Sequence, residues 1–512
     1  MCGIAALWGD SDTQAIQRVL AGMVHRGRDG QGMEAIEAGD GETEGTFGHR
    51  RLAIIDPQGG RQPLTSPRGN PVLVANGMIY NYRDLRAALA KEGVDADFKT
   101  DSDSETILHG YRRWGAEVVK KLDGMFAFVI QDGERCVAAR DPLGIKPLYW
   151  GRPKAGNPRA RIFGSEIEAL SQSATDIEEF PAGHVFDSDA GPKPRPYYEV
   201  PQAETGEMPE DEALARIRET LERAVVKRLR SDVPLGCFLS GGLDSSIIAA
   251  LAARHLDELH TFAVGLEGSR DLEAARKVAK HIGSIHHEYL IPKEEIGEVL
   301  PQALRHLESY DRDLTRSAVP TYFVAREAAK HGMKVVLTGE GADELFAGYT
   351  YYADYDDPAV LQAELRRSLT SMHDVNLQRV DRMTMAHSLE ARVPFLDTEM
   401  IALGMEVPAT LKQRPEQGCD GEKWVLRKAF EDLLPAEIVW RGKEQFDEGS
   451  GFADYLADWA HQAARRGEIP SCADSRSEEE ALYRQLLENE LGERAEEVLP
   501  LTSHWSENRE AA

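Results

Sequence analysis

Two groups of residues in this chain have the types and spacing to do chemistry. The first is Cys2, directly after the initiator methionine in MCGIAALWGD. Trimming of Met1 leaves a thiol and an α-amine on one residue. The amine titrates near ~7.7–8.0 and the thiol near ~8.5, so the neutral amine can serve as base for its own thiol. The competing reading is a cysteine placed by chance at a tolerant terminus. The second group is a pair of loops. SGGLDSS, Ser240 to Ser246, combines backbone freedom at Gly241 and Gly242 with hydroxyls on Ser240, Ser245 and Ser246, a pattern that suits an anion at a helix start. Asp244 would repel a phosphate, and a magnesium ion bridging it to pyrophosphate resolves that conflict. The Gly-Lys-Ser/Thr spacing of a Walker loop is absent. TGEGADE, Thr338 to Glu344, adds Glu340, Asp343 and Glu344. Taken singly, a Gly-Ser helix cap and a solvated acidic turn are the plain alternatives for the two loops.

Elements must bring these residues together. Residues 1–200 read as short apolar strands (GIAALW, FGHRRLAIID, PVLVANGMIY, MFAFVIQD, CVAARD, RIFGSE) with the helices YRDLRAALAKEG and SETILHGYRRWG between some of them. Strands with interspersed helices and no regular alternation predict a layered α+β domain. The polar stretch PQAETGEMPEDEA, residues 201–213, reads as a linker entering a helix. From residue 214 strand and helix alternate: PLGCFL before SGGLDSS, then a helix, LHTFAVGL, a helix, PTYFVAREAAKHG, and KVVLTGE before TGEGADE. This predicts an α/β doubly wound parallel sheet, with both loops at the carboxyl edge where ligands bind. The remainder from about residue 350 reads as mostly helical. The expected domains are therefore 2–200, a linker at 201–213, and 214–512.

Composition narrows the class. A chain of 512 residues should hold two or more domains. Its five cysteines (Cys2, Cys136, Cys237, Cys419, Cys472) are few and scattered, which argues against a disulfide framework and fits a reducing, cytoplasmic setting. No zinc spacing, signal peptide or membrane-length apolar run is present. The net charge of -27, from 87 acidic and 60 basic residues, disfavours nucleic-acid binding. It leaves open a simple solubility trait or a salt-rich cytoplasm.

The motifs also carry a resemblance. MCGI, HRG at 25–27, HRRLAIID at 49–56, NGMIYN at 76–81, SDSE at 102–105, GMFAF at 124–128 and RDPLGIKPLY at 140–149 resemble the class II glutamine amidotransferase domain, an N-terminal-nucleophile αββα fold. SGGLDSS, FAVGL, TGEGADELFAGY, EARVPFLD and RGKEQFDEGSG at 441–451 resemble the ATP-pyrophosphatase domain of glutamine-hydrolysing asparagine synthetases. The resemblance runs in order over residues 2–455. It implies that ammonia freed from glutamine converts aspartate to asparagine through a β-aspartyl-AMP intermediate, with glutamate, AMP and pyrophosphate as products. It also implies an internal ammonia tunnel. The implied small-molecule partners are glutamine, aspartate and ATP, with Mg2+ as cofactor and no nucleic acid or membrane; a homodimer stays open. The alternatives are a related amidotransferase acting on another carboxylate and a non-catalytic paralogue.

Matching positions assigns roles by resemblance. Cys2 is the nucleophile, and the Asn76 side chain and Gly77 N–H are the oxyanion donors. Arg51 grips the glutamine carboxylate and Asp103 its ammonium, with Leu52, Ile54, Ile55 and Met78 in the same pocket. Leu239, Ser240, Gly241, Gly242, Asp244, Ser245, Val264, Thr338 and Gly339 match the ATP site. Asp244 and Asp343 match metal-binding carboxylates, Glu340 an acid in adenylate chemistry, and Lys443 a lysine that offsets phosphate charge. Arg316 is the expected aspartate-carboxylate partner. Three positions depart from the family pattern. Arg28 replaces a proline in HRGRD, Met78 stands where a glutamate commonly holds the glutamine amine, and YDRDLTRSAV at 310–319 lacks paired threonines.

Overall fold

The computed structural model describes residues 2–37, 43–66, 69–92, 98–202, 207–414, 421–443, 446–469 and 475–502. Part of the expected linker (203–206), Cys419, Cys472 and the Glu444–Gln445 pair of the KEQF motif lie outside the described residues. The chain divides into two compact units. One comprises Met1–Glu199 with Met385–Leu389 and Leu491–Thr502; the other holds Val200–Thr384 and Glu390–Glu490.

The first unit is built on two antiparallel six-stranded sheets. The strand order in one is Ala174–Glu179, Tyr149–Pro153, Arg161–Gly164, Gly3–Trp8, Thr43–Arg51, Gly30–Glu37. In the other it is Arg195–Pro196, His184–Asp187, Arg135–Arg140, Gly124–Asp132, Val72–Ile79, Leu64–Thr65. Alternate side chains of both sheets meet in one core, with Ile4, Ala6 and Phe47 facing Val72, Val74, Ala127 and Val129. The helix Thr13–Gly22 covers the first sheet, and a Cβ at Gly48 would strike its Ile16 and Leu20. The helices Tyr82–Lys91 and Glu105–Trp114 lie by the second sheet, where Tyr111 donates to Asp132. The expected αββα layering is therefore present.

The second unit carries a parallel sheet in the order Ile285–Leu290, His260–Gly265, Leu235–Phe238, Val335–Leu337, Glu390–Arg392. Numbered by their order along the chain these strands read 3-2-1-4-5, a doubly wound order whose direction switches between Leu235–Phe238 and Val335–Leu337. Helices Leu243–Ala253, Arg270–Ile282 and Arg312–Lys330 connect successive strands.

Two helix boundaries and one strand differ from the sequence reading. The first helix of this unit starts at Glu210, inside the expected linker, because Glu210, Asp211 and Glu212 favour a helix N-terminus. The helix expected from Pro320 instead begins at Arg312, where Asp311 caps it by accepting from Leu314 N at 2.8 Å; Pro320 sits in its buried interior. The mostly helical remainder contains the strand Glu390–Arg392. Among the described residues, Cys2, Cys136 and Cys237 are buried without a disulfide, and no helix is long and apolar enough to cross a membrane.

Candidate active sites

In the first unit the site grows from the middle of a sheet. Cys2 immediately precedes the central strand Gly3–Trp8 and is buried. Its backbone nitrogen donates to Asn76 Oδ1 at 2.9 Å, and Sγ stands 3.9 Å from Leu52 O. Asn76 reaches it because Val72, Val74 and Asn76 alternate onto the core-facing side of their strand. The amide's other end is notable: Asn76 Nδ2 is buried and has no partner. Gly77 lies so close to the neighbouring strand that a Cβ would sit 2.7 Å from Phe126 Cα. Arg26, which sequence reasoning missed, donates from Nε to Cys2 O at 3.1 Å and from Nη1 to Glu166 at 2.9 Å. Its place in the HRG motif was the sequence signal, and in the structure the side chain is fully buried.

The remaining predicted residues surround this centre. The strand Thr43–Arg51 ends at Arg51, so LAIID is irregular rather than extended; Ala53 N is held by Asp29 Oδ2 at 2.8 Å. Leu52, Ile54 and Ile55 are buried along it. Arg51 donates to Pro57 O at 2.8 Å and Asp56 O at 2.6 Å, fastening the following turn. Asp103 Oδ2 accepts from Ile79 N at 2.8 Å, beside the buried Met78. Arg28 donates to Ala386 O at 3.1 Å, a contact that proline could not make.

In the second unit both loops open into a cavity of about 460 Å³ at the switch point of the parallel sheet. Leu239, Ser240, Gly242, Asp244, Ser245, Val264, Thr338, Gly339, Glu340, Asp343 and Lys443 line it. Gly241 and Arg316 are not among the lining residues. Gly241 takes a left-handed φ of 77° and packs on the helix Arg270–Ile282. Gly339 must lack a side chain, since a Cβ would come within 2.8 Å of Asp244 Cβ. Ser240 and Ser245 hydroxyls pair at 3.1 Å, while Ser246 Oγ is committed to Gly242 O at 2.6 Å.

The charged groups of the cavity are paired. Lys423, unmarked in the sequence reading, sits 2.6 Å from Asp244 Oδ2 and 2.7 Å from Asp343 Oδ1; Lys443 Nζ is 2.6 Å from the same Asp343 oxygen. Burial opposes ionisation of Asp343, but Lys423 and Lys443 outweigh it and hold its carboxyl well below the usual range. Glu340 is held by Arg379 at 2.7 Å, and Arg379 Nε is buried without a partner. Glu344 is not among the lining residues but lies behind two that are: Tyr349 OH donates to it at 2.6 Å and Asn376 Nδ2 at 2.9 Å. Burial, with Asp343 nearby, pushes its carboxyl up to about 7. Arg316 makes a bidentate pair with Glu479, at 2.8 and 2.5 Å, while Arg312, Asp313, Ser317 and Thr321 of its helix line the cavity instead.

Comparison with known proteins matches the chain to two family models. Residues 1–213 match the family model described as glutamine amidotransferase domain, and residues 216–360 and 353–510 match asparagine synthase. A Zea mays protein named asparagine synthetase [glutamine-hydrolyzing] is 38% identical over 473 residues, covering 88% of this chain and 78% of that protein. A Saccharomyces cerevisiae protein of that name is 39% identical over 511 residues, covering 90% and 87%. An Arabidopsis thaliana one is 38% identical over 488 residues, covering 90% and 82%.

Proposed function

The chain belongs to the family of glutamine-hydrolysing asparagine synthetases, which form asparagine from aspartate and ATP with nitrogen drawn from glutamine, and on that premise we propose how its residues divide the work. Removal of Met1 makes the Cys2 nitrogen a free α-amine, held by Asn76 Oδ1 at 2.9 Å, that takes the thiol proton as base. The thiolate attacks the side-chain amide carbon of glutamine; the C–N bond breaks, ammonia leaves with the proton the amine took, and water then hydrolyses the glutamyl thioester to glutamate and free Cys2. Negative charge grows on the substrate oxygen in both tetrahedral steps. Asn76 Nδ2, buried and unpartnered, and the Gly77 N–H are the donors that meet it. Arg51 and Asp103 take the substrate carboxylate and ammonium.

In the other unit the aspartate β-carboxylate attacks the α-phosphorus of ATP, pyrophosphate leaves, and ammonia then displaces AMP from the acyl adenylate. Ser240, Gly242, Ser245, Thr338 and Gly339 present hydroxyls and backbone to the nucleotide, with Leu239 and Val264 as its apolar wall. Lys443 offsets charge on the phosphates, and Glu340, steadied by Arg379, faces the acyl centre. The donor set fits Mg2+, a hard cation that takes carboxylate oxygen: Asp244 Oδ1 is buried without a partner, and Asp343 stands across from it, bridged through Lys423. When bound there with the nucleotide, the ion supplies neutralisation of the departing pyrophosphate.

The observation that carries this reading is the cavity at the switch point, into which both loops and the lysine-compensated carboxylates project. The test is incubation with aspartate, ATP, Mg2+ and either glutamine or ammonium, reading asparagine and AMP. Cys2→Ala should abolish the glutamine-dependent reaction and leave the ammonium-dependent one largely intact. Equal loss with both nitrogen donors refutes the division of labour, and AMP release with acids other than aspartate refutes the acceptor.

A further inference from the structure

Lys423 occupies an unusual position. It is a lysine with only 3% of its side chain exposed, and its Nζ stands between the Asp244 and Asp343 carboxylates at 2.6 and 2.7 Å. Its backbone takes a left-handed φ of 53° at the start of the helix Trp424–Ala429, a conformation that non-glycine residues hold only where their surroundings impose it. Gly348 leaves the room it needs, because a Cβ there would run into both the Lys423 chain and Asp343. With Lys443 also on Asp343, two aspartates face two lysines and the local charge sums to zero. Asp244 Oδ1 alone is left buried without a partner.

A divalent cation arriving by itself would therefore meet no net negative charge, and the place between the carboxylates is already taken by an ammonium. A triphosphate changes this balance by bringing negative charge of its own. We propose that Lys423 is a resident cation that makes divalent-metal binding in this cavity conditional on nucleotide. It keeps the two carboxylates together before ATP enters. It turns to the phosphates when the metal arrives with them and finds Asp244 Oδ1 open. The inference rests on the reading of this cavity as a nucleotide site.

The test uses the full chain and Mn2+ alone, with free Mn2+ counted by electron paramagnetic resonance, so no turnover is read. The unmodified chain should bind Mn2+ weakly without nucleotide and at least about a hundredfold more tightly with a non-hydrolysable ATP analogue. Lys423→Met should gain a nucleotide-independent Mn2+ site at least about tenfold tighter than in the unmodified chain. Adding Asp244→Asn should remove that site, and Lys423→Arg should not create it. Equal Mn2+ affinity with and without the analogue overturns the proposal, even if Lys423→Met fails to fold. So does a cooperatively unfolding Lys423→Met with no gain. If asparagine formation itself fails while Mn2+ binding behaves as stated, the functional reading falls and the role of Lys423 stands.

Discussion

In the proposed mechanism Asn76 separates holding the nucleophile from stabilising the charge it creates. Its Oδ1 accepts from the Cys2 nitrogen at 2.9 Å, whereas Nδ2 is buried with no partner. A buried donor without an acceptor costs about 1–3 kcal/mol in the resting protein. An oxyanion supplies the missing acceptor only as the tetrahedral centre forms, so the interaction is stronger in the transition state than in the ground state and raises the chemical rate. Removing one such donor typically costs about 2.7–4 kcal/mol, or roughly 10²–10³ in rate. Asn76→Asp keeps the volume and the acceptor for Cys2 but replaces the donor by an oxygen that repels the developing charge. The expected outcome is a fall of at least about 10²-fold in kcat for glutamine hydrolysis, with KM changed by less than about threefold. Ammonium-dependent asparagine formation should stay within about twofold, since it uses the other unit. Glutamate release and asparagine formation are measured side by side. A loss of less than tenfold in glutamine hydrolysis refutes the donor role of Nδ2.

Asp244→Asn and Glu340→Gln should each remove asparagine formation with either nitrogen source while glutamine hydrolysis persists; normal AMP release in Asp244→Asn counts against its role at the phosphates. Met78→Glu should supply an acid for the glutamine ammonium and lower KM for glutamine by about tenfold, the worth of ~1.4 kcal/mol, without altering the ammonium reaction. An unchanged or raised KM refutes it and shows that the buried strand position rejects a carboxylate. Lys412 is fully buried against Gln362 Oε1 at 3.1 Å, and burial pushes its ammonium down from the ordinary lysine range to about 7. The unfolded chain therefore binds more protons between about pH 7 and 10, stability rises with pH across that window, and the penalty is full below it. Lys412→Met should raise the melting temperature by several degrees at pH 6.5 and by much less at pH 10; an equal shift at both values refutes the assignment.

The strands legible in the sequence are those whose both faces are buried. Gly3–Trp8, Val72–Ile79 and Gly124–Asp132 are nearly continuous apolar runs because each lies inside a sheet with a core on one side and covering structure on the other. Gly30–Glu37 and Ala174–Glu179 escaped because each closes the edge of a sheet, pairs on one side only and stays largely wet, so no apolar run is required. Ile285–Leu290, IHHEYL, is the exposed edge of the parallel sheet and reads as polar for the same reason. Glu390–Arg392 escaped for the opposite reason. It is fully buried yet two of its three residues are charged, and they satisfy each other at 2.6 Å.

The site shows the same limit in its charges. Short motifs mark residues that lie together in the chain, and Ser240–Ser246 and Thr338–Glu344 are legible for that reason. What decides their chemistry is the partner each charge finds, and those partners are distant: Lys423 is 179 residues from Asp244, Arg379 is 39 from Glu340, and Glu479 is 163 from Arg316. A sequence lists Arg316 and Glu344 as available charges. The fold withdraws both, one to Glu479 and one to Tyr349 and Asn376, before any substrate is considered. It also adds Lys423, which no motif announces, at the point where two carboxylates would otherwise repel. A close pair of half-buried carboxylates gains from a cation between them whether or not nucleotide is present. The resting chain carries one of its own, and that gain, rather than any motif, accounts for a buried lysine between Asp244 and Asp343.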